Sequence, residues 1–172
     1  MSKRLRIKLI LLTLALPVTV LLFGYVYLSG WAGRTLTPSE FARFSNAIAK
    51  SAVHPREGGA SRALSLSRAA LSSSPSTGSI ELGERNYVFP LPKYAVLQDQ
   101  KTGGKISFLA FVSPDEMQDY FYRELPRAGW IHVDQMGAGH FLEGHDAHMT
   151  ITQHFYLTSD ISEFNVSISE AR

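Results

Sequence analysis

Lys105-Ile106-Ser107-Phe108-Leu109-Ala110-Phe111-Val112, followed at once by Ser113-Pro114-Asp115-Glu116, is the stretch whose reading decides the fold. Ile106, Phe108, Ala110 and Val112 alternate with Ser107, Leu109 and Phe111, which is the period-two rhythm of a strand. Both sets carry large apolar side chains. The strand is therefore expected inside a sheet, covered by a helix on one face and at least partly on the other. Ser113 has the chemistry of a helix N-cap, with Pro114 at the first helical position and Glu116 placed to close a capping box. Met117, Tyr120, Phe121 and Leu125 then recur on one helical face, and Ala128-Gly129 supplies the left-handed cap that ends it. Pro126, so close to that end, predicts an irregular last turn. Trp130 enters the next strand, where it would plug the seam between helix and sheet.

Upstream of the deciding stretch, Tyr94 to Gln98 reads as a short strand, and Asp99 to Gly104 as the turn that returns it. Downstream, strands are predicted over Trp130 to Asp134, Gly139 to Glu143, Ala147 to Leu157 and Ser162 to Ser169. The last has the cleanest alternation, with Phe164, Val166 and Ile168 inward and Glu163, Asn165, Ser167 and Ser169 outward. This pattern is α+β: a mostly antiparallel sheet with one packed helix.

The run Phe121-Tyr122-Arg123-Glu124-Leu125-Pro126-Arg127-Ala128-Gly129-Trp130 resembles the helix ending of small uncharacterised bacterial envelope domains, whose pattern is Phe-Tyr-x-x-Leu-x-x-Ala-Gly-Trp. In those proteins a Pro-rich approach precedes a hairpin, here Phe89-Pro90-Leu91-Pro92-Lys93-Tyr94-Ala95. The resemblance spans roughly residues 87 to 170. It implies a bacterial, exported, two-layer domain and carries no catalytic residues. Many such relatives are lipoproteins; this chain has no cysteine to carry a lipid.

At the other end of the chain, Lys3, Arg4, Arg6 and Lys8 precede an almost uninterrupted apolar run from Leu9 to Leu28, with Tyr25, Tyr27 and Trp31 at its far end. About 20 apolar residues at 1.5 Å each reach about 30 Å, the hydrocarbon thickness of a bilayer. The expectation is a basic cytoplasmic tail (1–8) and an uncleaved single-pass transmembrane anchor (9–31) in the inner membrane. The rest would then lie on the periplasmic or extracellular side. A cleaved signal is the rival, but the apolar run is longer than a signal core and no small-x-small pair follows it. Thr37-Pro38-Ser39-Glu40 reads as a second helix start, and Phe41, Phe44, Ile48 and Ala52 share a face. A juxtamembrane amphipathic helix is expected over 37–53, with Phe41, Phe44, Ile48 and Trp31 as candidate partner contacts. Residues 54–86, rich in Ser, Gly and Ala, read as a linker, with a short helix around Ala60 to Leu71 as the alternative within it, and 87–172 as the exported α+β domain.

Composition excludes several classes of function. Removing the four tail residues leaves 13 Lys and Arg against 15 acidic groups, so the remainder has no electrostatic footprint for nucleic acid. The absence of cysteine excludes disulfides, thiolate metal sites and cysteine nucleophiles. Lys101-Thr102-Gly103 lacks the Ser-x-x-Lys helix of penicillin-binding enzymes, and Gly137-Ala138-Gly139 lacks what a phosphate cradle needs. Asp115, Glu116 and Asp119 are explained by the dipole at a helix start.

Five of the six histidines fall late, at 132, 140, 145, 148 and 154. A turn could gather imidazoles for a metal, with His140, His145 and His148 as the candidate ligands. Strand alternation instead places His148, Thr150, Thr152 and His154 on the polar face of one strand. No ligand spacing is recognisable, so no cofactor is expected. The functional expectation is a non-enzymatic accessory or scaffolding subunit of a bacterial membrane protein complex. The alternative is an envelope ligand- or metal-binding protein that uses the histidine-bearing face.

Overall fold

The computed structural model describes residues 3–52, 59–101, 104–156 and 158–171, with the side chains of 3–16, 99–101, 155, 158 and 159 outside that description. Three helices come first: α1 (Lys3–Ala32), α2 (Pro38–Ala52) and α3 (Gly59–Ser73). A hairpin of β1 (Thr77–Leu82) and β2 (Arg85–Pro90) follows, then β3 (Ala95–Lys101) and β4 (Lys105–Ala110). α4 (Pro114–Asp119) runs through a π-helical turn (Tyr120–Glu124) into α5 (Leu125–Arg127). β5 (Ile131–Met136), β6 (Gly139–Gly144), β7 (Ala147–Tyr156) and β8 (Thr158–Glu170) complete the chain. The six strands from β3 onward form one antiparallel sheet in the order β3-β4-β8-β7-β6-β5.

The structure is therefore α+β with an antiparallel sheet, and β4 is an interior strand apolar on both faces. Ile106, Phe108 and Ala110 join a core with Phe121, Leu125, Trp130, Phe164 and the hairpin residues Tyr87 and Phe89. Leu109 and Phe111 point the other way, into a second core with Leu28, Phe44, Ala47, Ala63, Leu66 and Ile161. One packed helix was expected; the structure packs helices on both faces, because both registers of β4 offer apolar side chains.

The two helix starts form as their chemistry requires. Ser113 Oγ accepts from the Glu116 N–H, and Glu116 Oε2 accepts from the Ser113 N–H at 2.8 Å. Thr37 and Glu40 make the same reciprocal pair. The irregular end expected from Pro126 is the π-helical turn. Proline has no N–H to give the Tyr122 carbonyl and its ring crowds that group, so the turn widens and the Leu125 N–H bonds instead to the Tyr120 carbonyl. Gly129, at φ +87°, then closes the helix: its N–H bonds to Pro126 O and that of Trp130 to Leu125 O, the paired bonds of a Schellman cap.

Two expectations are overturned. Among the described residues, no helix is long and apolar enough to cross a membrane. The single-pass anchor over 9–31 is withdrawn, and with it the inner-membrane and periplasmic placement. The last turns of α1 are bound to the fold: Leu28 is buried, and the Tyr25 hydroxyl donates to Leu36 O at 2.8 Å. The calls on the side chains of residues 1–16 lie outside the described ones.

The linker over 54–86 is the second correction. Apart from residues 53–58, which are not described, it holds α3 and β1 and runs into β2. Ala63, Leu66 and Ala70 are buried in the second core. Those apolar residues are small and widely spaced, so they look sparse in sequence, yet they suffice to seat α3 beside α2.

Glu40 ties this helical layer to the sheet. Its carboxylate accepts from Arg34 at 2.7 and 2.9 Å, from Lys93 at 3.2 Å and from the Tyr94 hydroxyl, while being 6% exposed. The Arg34 guanidinium, aided by Tyr94 and Lys93, holds the carboxyl far below its ordinary value of 4.5. A depressed carboxyl contributes stability above its unfolded-state value and loses it as pH falls. Glu40→Gln should therefore cost about 2 kcal/mol near neutrality. In urea unfolding, the gap from wild type should narrow as pH drops below 4.5.

Candidate interaction surface and histidine cluster

The residues singled out for partner contact are occupied by the fold itself. Phe44 is fully buried between Tyr94 and Phe111, with ring centroids at 5.2 and 4.8 Å. Phe41 packs edge-on against Tyr25 at 5.5 Å, Ile48 packs on the second core, and Trp31 lies against Tyr27 at 4.5 Å. Phe44 is thus taken up by internal packing, and Phe41, Ile48 and Trp31 are partly buried against the second core. The capping box aims α2 so that its apolar stripe falls on the sheet.

What remains uncovered is α1. Val18, Val20, Leu21, Leu22, Phe23, Val26 and Tyr27 are each between 56% and 74% exposed. At 3.6 residues per turn, these positions point around most of the helix circumference. Among the described residues of α1, Gly24, Tyr25, Leu28, Ser29, Trp31 and Ala32, on one side of its last turns, meet the domain. A helix apolar all round normally lies buried against something. The run is plain in the sequence, but it carries no sign of what covers it.

The histidines do not gather as first read. His145 Nε2 meets Ala128 O at 2.8 Å with its ring edge-on to Trp130, and His148 pairs with Glu143 at 3.4 Å. His140 faces neither. The trio His140, His145 and His148 is thus not a ligand set, and among the described residues no three or more His, Cys, Asp or Glu side chains converge.

His140 instead meets His132, with Nδ1 of the first 3.1 Å from Nε2 of the second. A bulge brings them together: the β5–β6 register shifts between His132 and Asp134, leaving Val133 as the extra residue. Strict alternation could not reveal this pairing. Above the pair lies the π-helical turn. Phe121 stacks on the His140 ring at 3.6 Å and 9°, and the next residue, Tyr122, lies 4.9 Å from the His132 ring. The Tyr122 hydroxyl also reaches Gln135 Oε1 at 3.5 Å. His140 is 7% exposed, and burial, helped by the neighbouring His132, lowers its pKa to about 4. It is therefore a neutral imidazole at physiological pH.

No family model, curated protein or solved structure matches this chain. The resemblance carried by residues 121–130 accordingly stands on those residues alone, and the two surfaces are read from their own chemistry.

Proposed function

We propose that this protein is a non-enzymatic accessory or scaffolding subunit that docks other protein chains onto the exposed face of α1. The observation that carries the reading is the ring of seven exposed apolar side chains from Val18 to Tyr27. Contiguous apolar surface of this extent marks a contact site, because leaving it in water is unfavourable by about 25 cal/mol per Å². Buried Leu28, with Tyr25 and Trp31 packed against the second core, holds the base of α1 on the domain, so a partner meets a preorganised helix.

The test is a pair of substitutions on the exposed side, Phe23→Glu and Val26→Glu. Both side chains are free of the core, so thermal unfolding of the domain should stay within about 0.5 kcal/mol of wild type. Native separation of the same variants should show the chain released from the larger species in which the wild type migrates. Unchanged migration of the variants would contradict the proposal.

A further inference from the structure

We propose that His132 Nε2 and His140 Nδ1 are the two protein ligands of a divalent transition-metal site at the β5 edge, with copper(II) the best-fitting ion. Imidazole nitrogens bind such ions at about 2.0–2.1 Å, so two of them at roughly right angles on one ion sit about 3 Å apart. The observed separation is 3.1 Å. Copper(II) leads on intrinsic affinity for nitrogen donors.

Three further features favour the assignment. The His140 ring is immobilised by its stack on Phe121, so little rotamer freedom remains to be lost on binding. Tyr122, beside the His132 ring, is half exposed, so water can reach the pair from that side to complete the coordination. Both aromatic neighbours come from the π-helical turn, a local irregularity that recurs at functional sites. On binding, the one proton shared between the facing nitrogens moves to the outer nitrogen of the ring that carries it, and both lone pairs turn to the metal. The site does not depend on the α1 docking surface, so either reading can fail without the other.

The experiment uses the full chain, free of any tag and stripped with chelator, titrated with copper(II). One equivalent should bind and raise the thermal midpoint, as any native-state ligand must. Electron paramagnetic resonance should show a tetragonal signal with nitrogen couplings, and ring resonances of His132 and His140 should broaden first. His132→Ala, on the edge strand, should weaken binding at least tenfold. His148→Ala, at an exposed histidine outside the cluster, should leave it unchanged and also reports that the fold tolerates histidine loss. Absence of one-equivalent binding, binding that survives His132→Ala, or broadening confined to other histidines would each overturn the proposal.

Discussion

Phe44→Ala should lower the stability of the entire folded unit by about 3–5 kcal/mol, the range for truncating a fully buried aromatic. At about 2–4 °C per kcal/mol for a chain of this size, the thermal midpoint should fall by roughly 10 °C. Phe44 is 0% exposed and touches Tyr94 and Phe111, which belong to the sheet side of the molecule. Two ion pairs bind the same helix to that side: Arg43 to Glu116 at 2.7 Å and Lys50 to Asp160 at 2.6 Å. Each of these is partly solvated and worth at most about 1 kcal/mol, so the phenylalanine dominates. A helix joined to its domain only through a tether would behave otherwise. Its Phe44→Ala variant would melt like wild type, and a single unshifted transition by calorimetry would refute the packing described here.

Gly144→Ala should be nearly as damaging, at about 3 kcal/mol, through overlap instead of a cavity. A Cβ at 144 would stand 2.0 Å from Gly129 O and 3.3 Å from the Trp130 Cα, so backbone must move. The β6–β7 turn closes directly on the end of α5, where Gly129 holds its left-handed cap. His145 and Asp146 adopt φ of 54° and 57° to make the two-residue turn, a left-handed conformation that His and Asp tolerate better than most side chains. The turn sets the His145 ring against Trp130 and Ala128 O. The expected signature in the variant is early amide exchange in β5 and β6, with urea unfolding at lower denaturant. Wild-type exchange rates in those strands would contradict it.

Much of the sheet was legible because its residues obey local rules. The β4 alternation, both capping boxes, Gly129 and the inward Phe164-Val166-Ile168 series each follow from a neighbour-scale constraint, and the structure realises them. Three things were not legible, for different reasons. The β1–β2 hairpin starts in a Ser- and Gly-rich stretch, and the apolar residues of α3, such as Ala63 and Ala70, are small, so that their burial depends on the helix beside them. The role of Phe44 required knowing that β4 exposes a second apolar register to α2. The His132–His140 pair depends on one extra residue at Val133, and a bulge leaves no trace in strand periodicity. The apolar character of residues 9–28 was plain, but a run of leucines does not state its solvent. Its last turns proved to belong to the protein's own core.

The most direct test of the α1 docking surface is photo-crosslinking from single sites of the full chain in its own cells. Crosslinkers at Leu22 and at Val26 should capture the same discrete protein chain, whereas one at Val88, equally exposed on the hairpin, should not. Recovery of the 19.1 kDa chain without a protein adduct from either α1 site, or identical capture from all three, would contradict the account.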